Sequence, residues 1–379
     1  MVGGHHAQSH ARQPYRPWSP HLVHPLKRTL TFEKAVKIDE LIIKEIIDRE
    51  ICHYATPDFL VTSTCNSIYV KKHGNEYSFL LPSDSWKWIF SLFRLSRRAL
   101  RLDKCNLVPV DNGFVAIRQG EVFHYSENIN KLEHVLSLKN CRNVLHQSIT
   151  VIDKKELFFG EYGNNPSRSD VPIYRSLDSG RSWEIVFVFK AGKTRHVHGC
   201  YYDPFEKKIW VLTGDFENEC HILVADKDFK NVEWIGEGQQ TYRACNVFFE
   251  QDSIHWIMDS QLQNNYHIKL SRKSRTIEKK QLFPGPVWYI KRLEDGYYLA
   301  ATTQEIGFGV KDQYVHLMFS KDLEKWEDIY QFQHDGLPKR YFKFGVIGFA
   351  DGCQYSNSFY LFAEAIKGLD GKIALCEIK

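Results

Sequence analysis

The recurrence of short β-type runs constrains this chain most. From Asp58 onward, apolar stretches of strand length alternate with turn residues, and the unit repeats at about 45–50 residues. A blade-like sheet of about four strands fits each unit. Inner strands are expected to begin near Phe59, Asn106, His146, His198, Arg243, Trp288 and Phe344, which gives seven units. The last unit shows only three clear strands. A strand within Arg28 to Lys37 is expected to complete it and close a ring, because closure removes exposed sheet edges.

One turn aligns the repeats. Ser176-Leu177-Asp178-Ser179-Gly180-Arg181-Ser182-Trp183 separates the β-type runs 172–175 and 184–189. The Asp178 carboxylate can accept backbone N–H bonds, Gly180 can take positive φ, and Trp183 supplies an apolar anchor. Asp228 with Trp234 answers it, as does Ser320-Lys321-Asp322 with Trp326. The pattern S-x-D-x-G-x-x-W resembles the Asp box of the sialidase-like (BNR-repeat) β-propellers. That resemblance implies an all-β fold, a β-propeller of seven four-stranded blades. It implies that the box caps the turn between the two outer strands of a blade, far from the central channel, so it reports architecture and not catalysis. It also implies carbohydrate chemistry by glycoside hydrolysis, the alternative being a propeller that binds a glycan or a protein without catalysis. Seven-bladed propellers also serve as polysaccharide lyases. The R-I-P motif of true sialidases has no counterpart here, which leaves the arginine triad incomplete: Arg195 and Arg243 are its candidates, with Arg340 a weaker third.

Three segments stand beside the repeats. Residues 1–28 are Pro- and His-rich without periodicity, and read as a disordered leader. Residues 29–57 read as an N-terminal helix or closing strand, with Phe32, Val36, Leu41, Ile42, Ile46 and Ile47 on one helical face. The propeller domain then runs from 58 to 379. Within it, 85–102 sets Trp88, Ile89, Leu92, Phe93 and Leu100 against Arg94, Arg97, Arg98 and Arg101, as an inserted amphipathic basic helix. Such a helix packs on the propeller with its basic face in solvent; the alternatives are a membrane-surface contact or an anionic-glycan contact.

Composition excludes several classes. The formal net charge of +4, from 50 basic and 46 acidic residues, is too mild to argue for nucleic acid. The nine cysteines include no C-x-x-C pair, and several lie in apolar strands, so they read as reduced core residues, which suggests a cytoplasmic protein. No apolar run reaches the ~18 residues of a membrane span, and no signal-peptide h-region appears.

Chemistry follows from topology. In an up-and-down blade, the start of the innermost strand and the end of the next lie on one face, so these residues converge on the channel mouth. The strand starts supply His146, Arg195, His196, His198, Arg243, Trp288 and Tyr289; the second-strand ends supply Glu161, Tyr162, Asp215, Asp259, Gln304 and Glu364. From these, His146, His198, Tyr162, Glu161 and Asp215 are the candidate catalytic groups. Arg195, Arg243, Trp288, Gln304 and His196 are the candidate substrate contacts. Paired guanidiniums suit a carboxylate, which they bind in a fork, and aromatic rings suit a sugar face. The ligand is therefore expected to be an oligo- or polysaccharide carrying negative charge. In a hydrolase, Glu161 or Asp215 serves as acid/base; in a uronate lyase, His146 or His198 removes a proton and Tyr162 protonates the leaving oxygen. No cofactor is expected, the exception being a divalent metal at His146, His196 and His198, a weak signal from His-x-His alone.

Overall fold

Each repeat folds as one antiparallel sheet. The computed structural model describes residues 37–38, 41–83 and 87–379. It is a seven-bladed propeller: blades 1 to 6 span 51–80, 106–137, 150–189, 196–238, 248–283 and 287–333, with four strands each. Blade 7 combines three C-terminal strands with Leu41–Ile47 as its fourth, edged by the short Lys37–Ile38 strand.

Burial explains the apolar runs. The inner and second strands are covered on both faces by neighbouring blades. Gly113–Arg118 and Ser253–Ile257 are buried at every position. The outermost strands are partly solvated, as in Val232–Gly238 and Ile277–Phe283. The core is not one mass but seven apolar clusters among the described residues, one between each pair of adjacent blades. Sheet faces of this kind are stable only when stacked, so closing the ring matters energetically. Closure is made by six residue pairs between Leu41–Ile47 and Lys372–Ile378. Ala55 N, on the innermost strand of blade 1, also donates to Asp351 O at 2.8 Å.

The structure corrects several expectations. The helical reading within 29–57 fails, because Leu41–Ile47 and Ile51–Thr56 are strands. Four of the seven residues in Leu41–Ile47 are isoleucine, and branching at Cβ favours strand. A bulge between Ile43 and Glu45 breaks the two-residue alternation, which made the spacing look helical. Residues 1–28 and most of the expected closing strand at 28–37 lie outside the described residues; the observed closing strand starts at Leu41. Phe59 begins the second strand of blade 1, not the first.

The inserted segment is two short helices, Trp88–Ser91 and Arg94–Leu100, and its orientation is the reverse of that expected. Its arginines face the propeller. Arg94 binds Asp103 at 2.6 Å and Asp370 at 2.9 Å, Arg97 binds Glu50 at 2.7 Å, and the buried Arg98 binds Asp335. Ile89, Phe90, Leu92, Phe93 and Leu95 are the exposed side. Arg94, Arg97 and Arg98 are thus occupied by ion pairs with the propeller. No helix among the described residues is long and apolar enough to cross a membrane. All nine cysteines are free, and eight are buried.

The Ser176–Trp183 turn joins the outer strands of blade 3, as expected. Ser176 Oγ takes Gly180 N at 2.8 Å, and Asp178 Oδ1 takes Ser182 N at 2.9 Å. Gly180 has φ +85°, and a Cβ there would collide with Val115 of blade 2. In blade 4 the equivalent carboxylate is Asp226, which takes Lys230 N at 2.8 Å; Asp228 pairs with Arg175 instead.

Candidate active site

Asp215 is the hub. It follows the second strand of blade 4, Lys208–Gly214. Arg195 Nη1 meets its Oδ2 at 2.6 Å. Its Oδ1 faces His196 Nε2 at 3.3 Å, His198 Nε2 at 3.2 Å and Arg243 Nη2 at 3.2 Å. Arg195 and His196 come from the start of the innermost strand of blade 4, and Arg243 from the approach to blade 5. A bulge at His198 interrupts the ladder between Val197 and Gly199, and both imidazoles reach the same oxygen. Gly214 makes room for this: a Cβ there would lie 2.7 Å from His198 Cε1.

Asp259, at the corresponding position of blade 5, extends the cluster. It accepts Trp288 Nε1 at 2.9 Å and Cys245 Sγ at 3.2 Å, and lies 3.3 Å from Arg243 Nε. That Arg243 Nε forms no hydrogen bond although it is buried. The Tyr162 ring lies 4.2 Å from the His196 ring, centroid to centroid. The loop after Tyr162 folds onto the site: Gly163 O meets His196 Nδ1 at 2.8 Å, and Asn164 O takes Arg195 Nε at 3.0 Å. Glu305, one residue beyond Gln304 in blade 6, accepts the Thr303 hydroxyl at 3.2 Å.

Protonation differs across these carboxyls. Asp215 is held well below the usual carboxylate range although burial raises it, and the Arg195 and Arg243 guanidiniums both lie on its oxygens. Glu305 is pushed up to about 8, by burial and then by the negative charge of Asp259 and Asp215, with Arg243 opposing. Near neutral pH the cluster therefore holds an ionised Asp215 and a protonated Glu305. Burial lowers His196 despite Asp215, and burial raises the Tyr162 phenol well above its ordinary value.

Seven of the sequence-predicted residues thus meet: Tyr162, Arg195, His196, His198, Asp215, Arg243 and Trp288. Three do not join them directly. Glu161 is buried with its oxygens on Lys139 N and Asn140 N, both at 3.0 Å, and on Tyr174 Oη at 2.9 Å. It anchors the blade 2–3 connector, and this occupancy argues against an acid/base role. His146 lies among the inner strands, its Nε2 2.8 Å from Phe349 O, its ring 5.8 Å from Tyr289 and 4.8 Å from Phe362. It bridges blades across the channel and is not grouped with His196 and His198. Gln304 is buried, with Oε1 unbonded, and lines a separate polar pocket of about 350 Å³ with Gln313, Tyr314 and Gln333. Trp288 is half-buried, its indole N–H taken by Asp259 and its ring packed edge-on against Phe344. Glu305 is the group that sequence reasoning missed, although it directly follows Gln304 at a second-strand end.

No protein-family model matches the chain, and no curated protein matches it. Solved structures do resemble it. An oligogalacturonate lyase from Vibrio parahaemolyticus superposes with a TM-score of 0.55 at 8% identity, over 90% of this chain and 95% of that one. The extracellular domain of a putative one-component system from B. thetaiotaomicron gives 0.52 at 10% identity, over 91% of this chain and 40% of that one, so the chain spans well under half of that protein. At these identities the likeness is one of fold.

Proposed function

We propose that this protein is a carbohydrate-active enzyme that cleaves glycosidic bonds in an acidic glycan by hydrolysis. The observation that carries this reading is the meeting of Asp215, Asp259 and Glu305 with Arg195, Arg243, His196, His198 and Tyr162 at one end of blades 3 to 6. Glycoside hydrolysis needs one carboxyl that keeps its proton and one that does not. Glu305 fills the first role, protonating the leaving oxygen. Asp215 is the ionised partner, and with Asp259 it stabilises positive charge that develops on the sugar ring. Arg195, the more exposed of the two guanidiniums, is the group best placed to take a substrate carboxylate.

A second reading is β-elimination from a uronate. The fold likeness to an oligogalacturonate lyase supports it, as do the histidines and arginines of the pocket. One assay separates the two. The protein is incubated with a panel of acidic oligo- and polysaccharides, and both reducing ends and the ultraviolet absorbance of an unsaturated product are followed. Reducing ends without absorbance are expected. Absorbance would transfer the assignment to elimination. Turnover of no glycan, together with retained binding on a glycan array, would reduce the protein to a binding module.

A further inference from the structure

We propose that His196, His198 and Asp215 form a binding site for a first-row divalent metal ion, held by the two Nε2 atoms and Asp215 Oδ1. The site shares residues with the pocket above, but stands whether that pocket hydrolyses, eliminates or only binds.

The tautomers argue for it first. His196 Nδ1 lies 2.8 Å from Gly163 O, and His198 Nδ1 lies 2.8 Å from Ala244 O. A backbone carbonyl can only accept, so each Nδ1 carries the hydrogen. A neutral imidazole then presents a lone pair at Nε2. Metal-bound histidines are held in this way, with the distal N–H fixed on a carbonyl or carboxylate.

The spacing argues for it next. Both Nε2 atoms face one carboxylate oxygen, at 3.3 and 3.2 Å. Three acceptors turned toward one another repel unless a cation lies between them. The contacts are also longer than charge-assisted N–H···O bonds, which fall at about 2.7–2.9 Å. They match the edges of a coordination shell, since ligands about 2.0–2.2 Å from a zinc-like ion stand about 3.0–3.4 Å apart. The three donor atoms all fall within 4.8 Å of one another.

The surroundings fit as well. Both histidines are buried and Asp215 nearly so. Arg195 and Arg243 fix the Asp215 carboxylate from outside. Imidazole donors favour an ion such as Zn²⁺ over Ca²⁺ or Mg²⁺, and the Asp215 oxygen keeps Mn²⁺ within range. Three protein ligands leave positions open for water or a sugar oxygen, the composition of a reactive centre and not of a structural one. A second grouping, His198, Cys245 and Asp259, would need His198 Nδ1, which Ala244 O already occupies.

The test is a titration of the full chain. Protein stripped by chelator and dialysed is titrated calorimetrically with Zn²⁺ and with Mn²⁺, beside His196→Ala and His198→Ala. The histidines of 1–28 remain in all three proteins, so only the difference reports this site. Each variant is expected to lose one binding equivalent, or at least 100-fold in affinity for it. Equal stoichiometry and affinity in wild type and variants would overturn the proposal. Should either variant misfold, wild type alone decides: excess Zn²⁺ or Mn²⁺ is expected to raise its melting temperature by several degrees, because binding to the folded site stabilises it. No rise with either ion would overturn the proposal too.

Discussion

Two charged clusters ornament this propeller, and they do different things. One ties the inserted helix Arg94–Leu100 to the ring; the other is the pocket around Asp215. In the first, three arginines on a single helix meet Glu50, Asp103, Asp335 and Asp370, which come from loops far apart in the chain. Arg94 grips Asp370 in a fork, with Nε and Nη2 at 3.0 and 2.9 Å. Glu50 also takes Cys65 N at 2.8 Å. Opposite charges are matched, and the result is a clamp. In the second cluster pairing is unequal. Asp215 gathers four cationic or imidazole groups, whereas Glu305 bonds only a hydroxyl and stays protonated. Charge density alone therefore does not mark a site. Groups left in opposed protonation states do.

The comparison can be broken by mutation. Glu305→Gln is expected to lower glycan cleavage by about 10²–10⁴-fold, the usual worth of a general acid, with the melting temperature unchanged. Full activity in this variant would remove Glu305 from the chemistry. Arg98→Ala should do the opposite. It leaves the Asp335 carboxylate without its partner and should cost about 3–5 kcal/mol in urea unfolding, while folded molecules keep their activity. Loss of activity at full stability would make the clamp part of the site.

A pH series sharpens the same contrast. The charges of Asp259, Arg243 and Asp215 act on Glu305, and the Thr303 hydroxyl bonds it. Activity that needs its proton should fall as pH rises through about 8. Stability carries the same sign. The folded group holds its proton where the unfolded one, with a pKa of about 4.3, has lost it. Stability should therefore decline as pH rises from about 4.3 to about 8 and level off above, and Glu305→Gln should remove that contribution. Urea midpoints across the range check it. The smallest effect is expected at Asp178→Ala, far from both clusters. Loss of its bonds to Ser182 N and Arg181 N should cost about 1–2 kcal/mol and leave cleavage untouched.

Much of the fold was legible in the sequence, because blades repeat and turns punctuate them. The strand starts at Asn106, Trp288 and Phe344 fall within two residues of those observed. Leu41–Ile47 was not legible, since its bulge disguised a strand as a helical face. For the site, placing residues at strand ends correctly grouped Arg195, His196, His198, Asp215 and Arg243. The same rule misled at Glu161, which also ends a second strand but turns its carboxylate to a neighbouring loop. Position along a strand says which rim a residue occupies, not where its side chain points.

What the chain determined by itself is a local grammar: two buried strands, a third, a tight turn that an aspartate caps in blades 3, 4 and 6, and an outer strand, repeated around the ring. That grammar rests on interactions within a few tens of residues, so it survives in the linear order. Which polar groups meet, and which of them hold a proton, was decided only when the ring closed. Those outcomes depend on burial and on the charges of adjacent blades, and no single segment carries either. The arginines of Arg94–Leu100 make the point: their spacing promised a solvated face, and carboxylates from distant loops drew them inward.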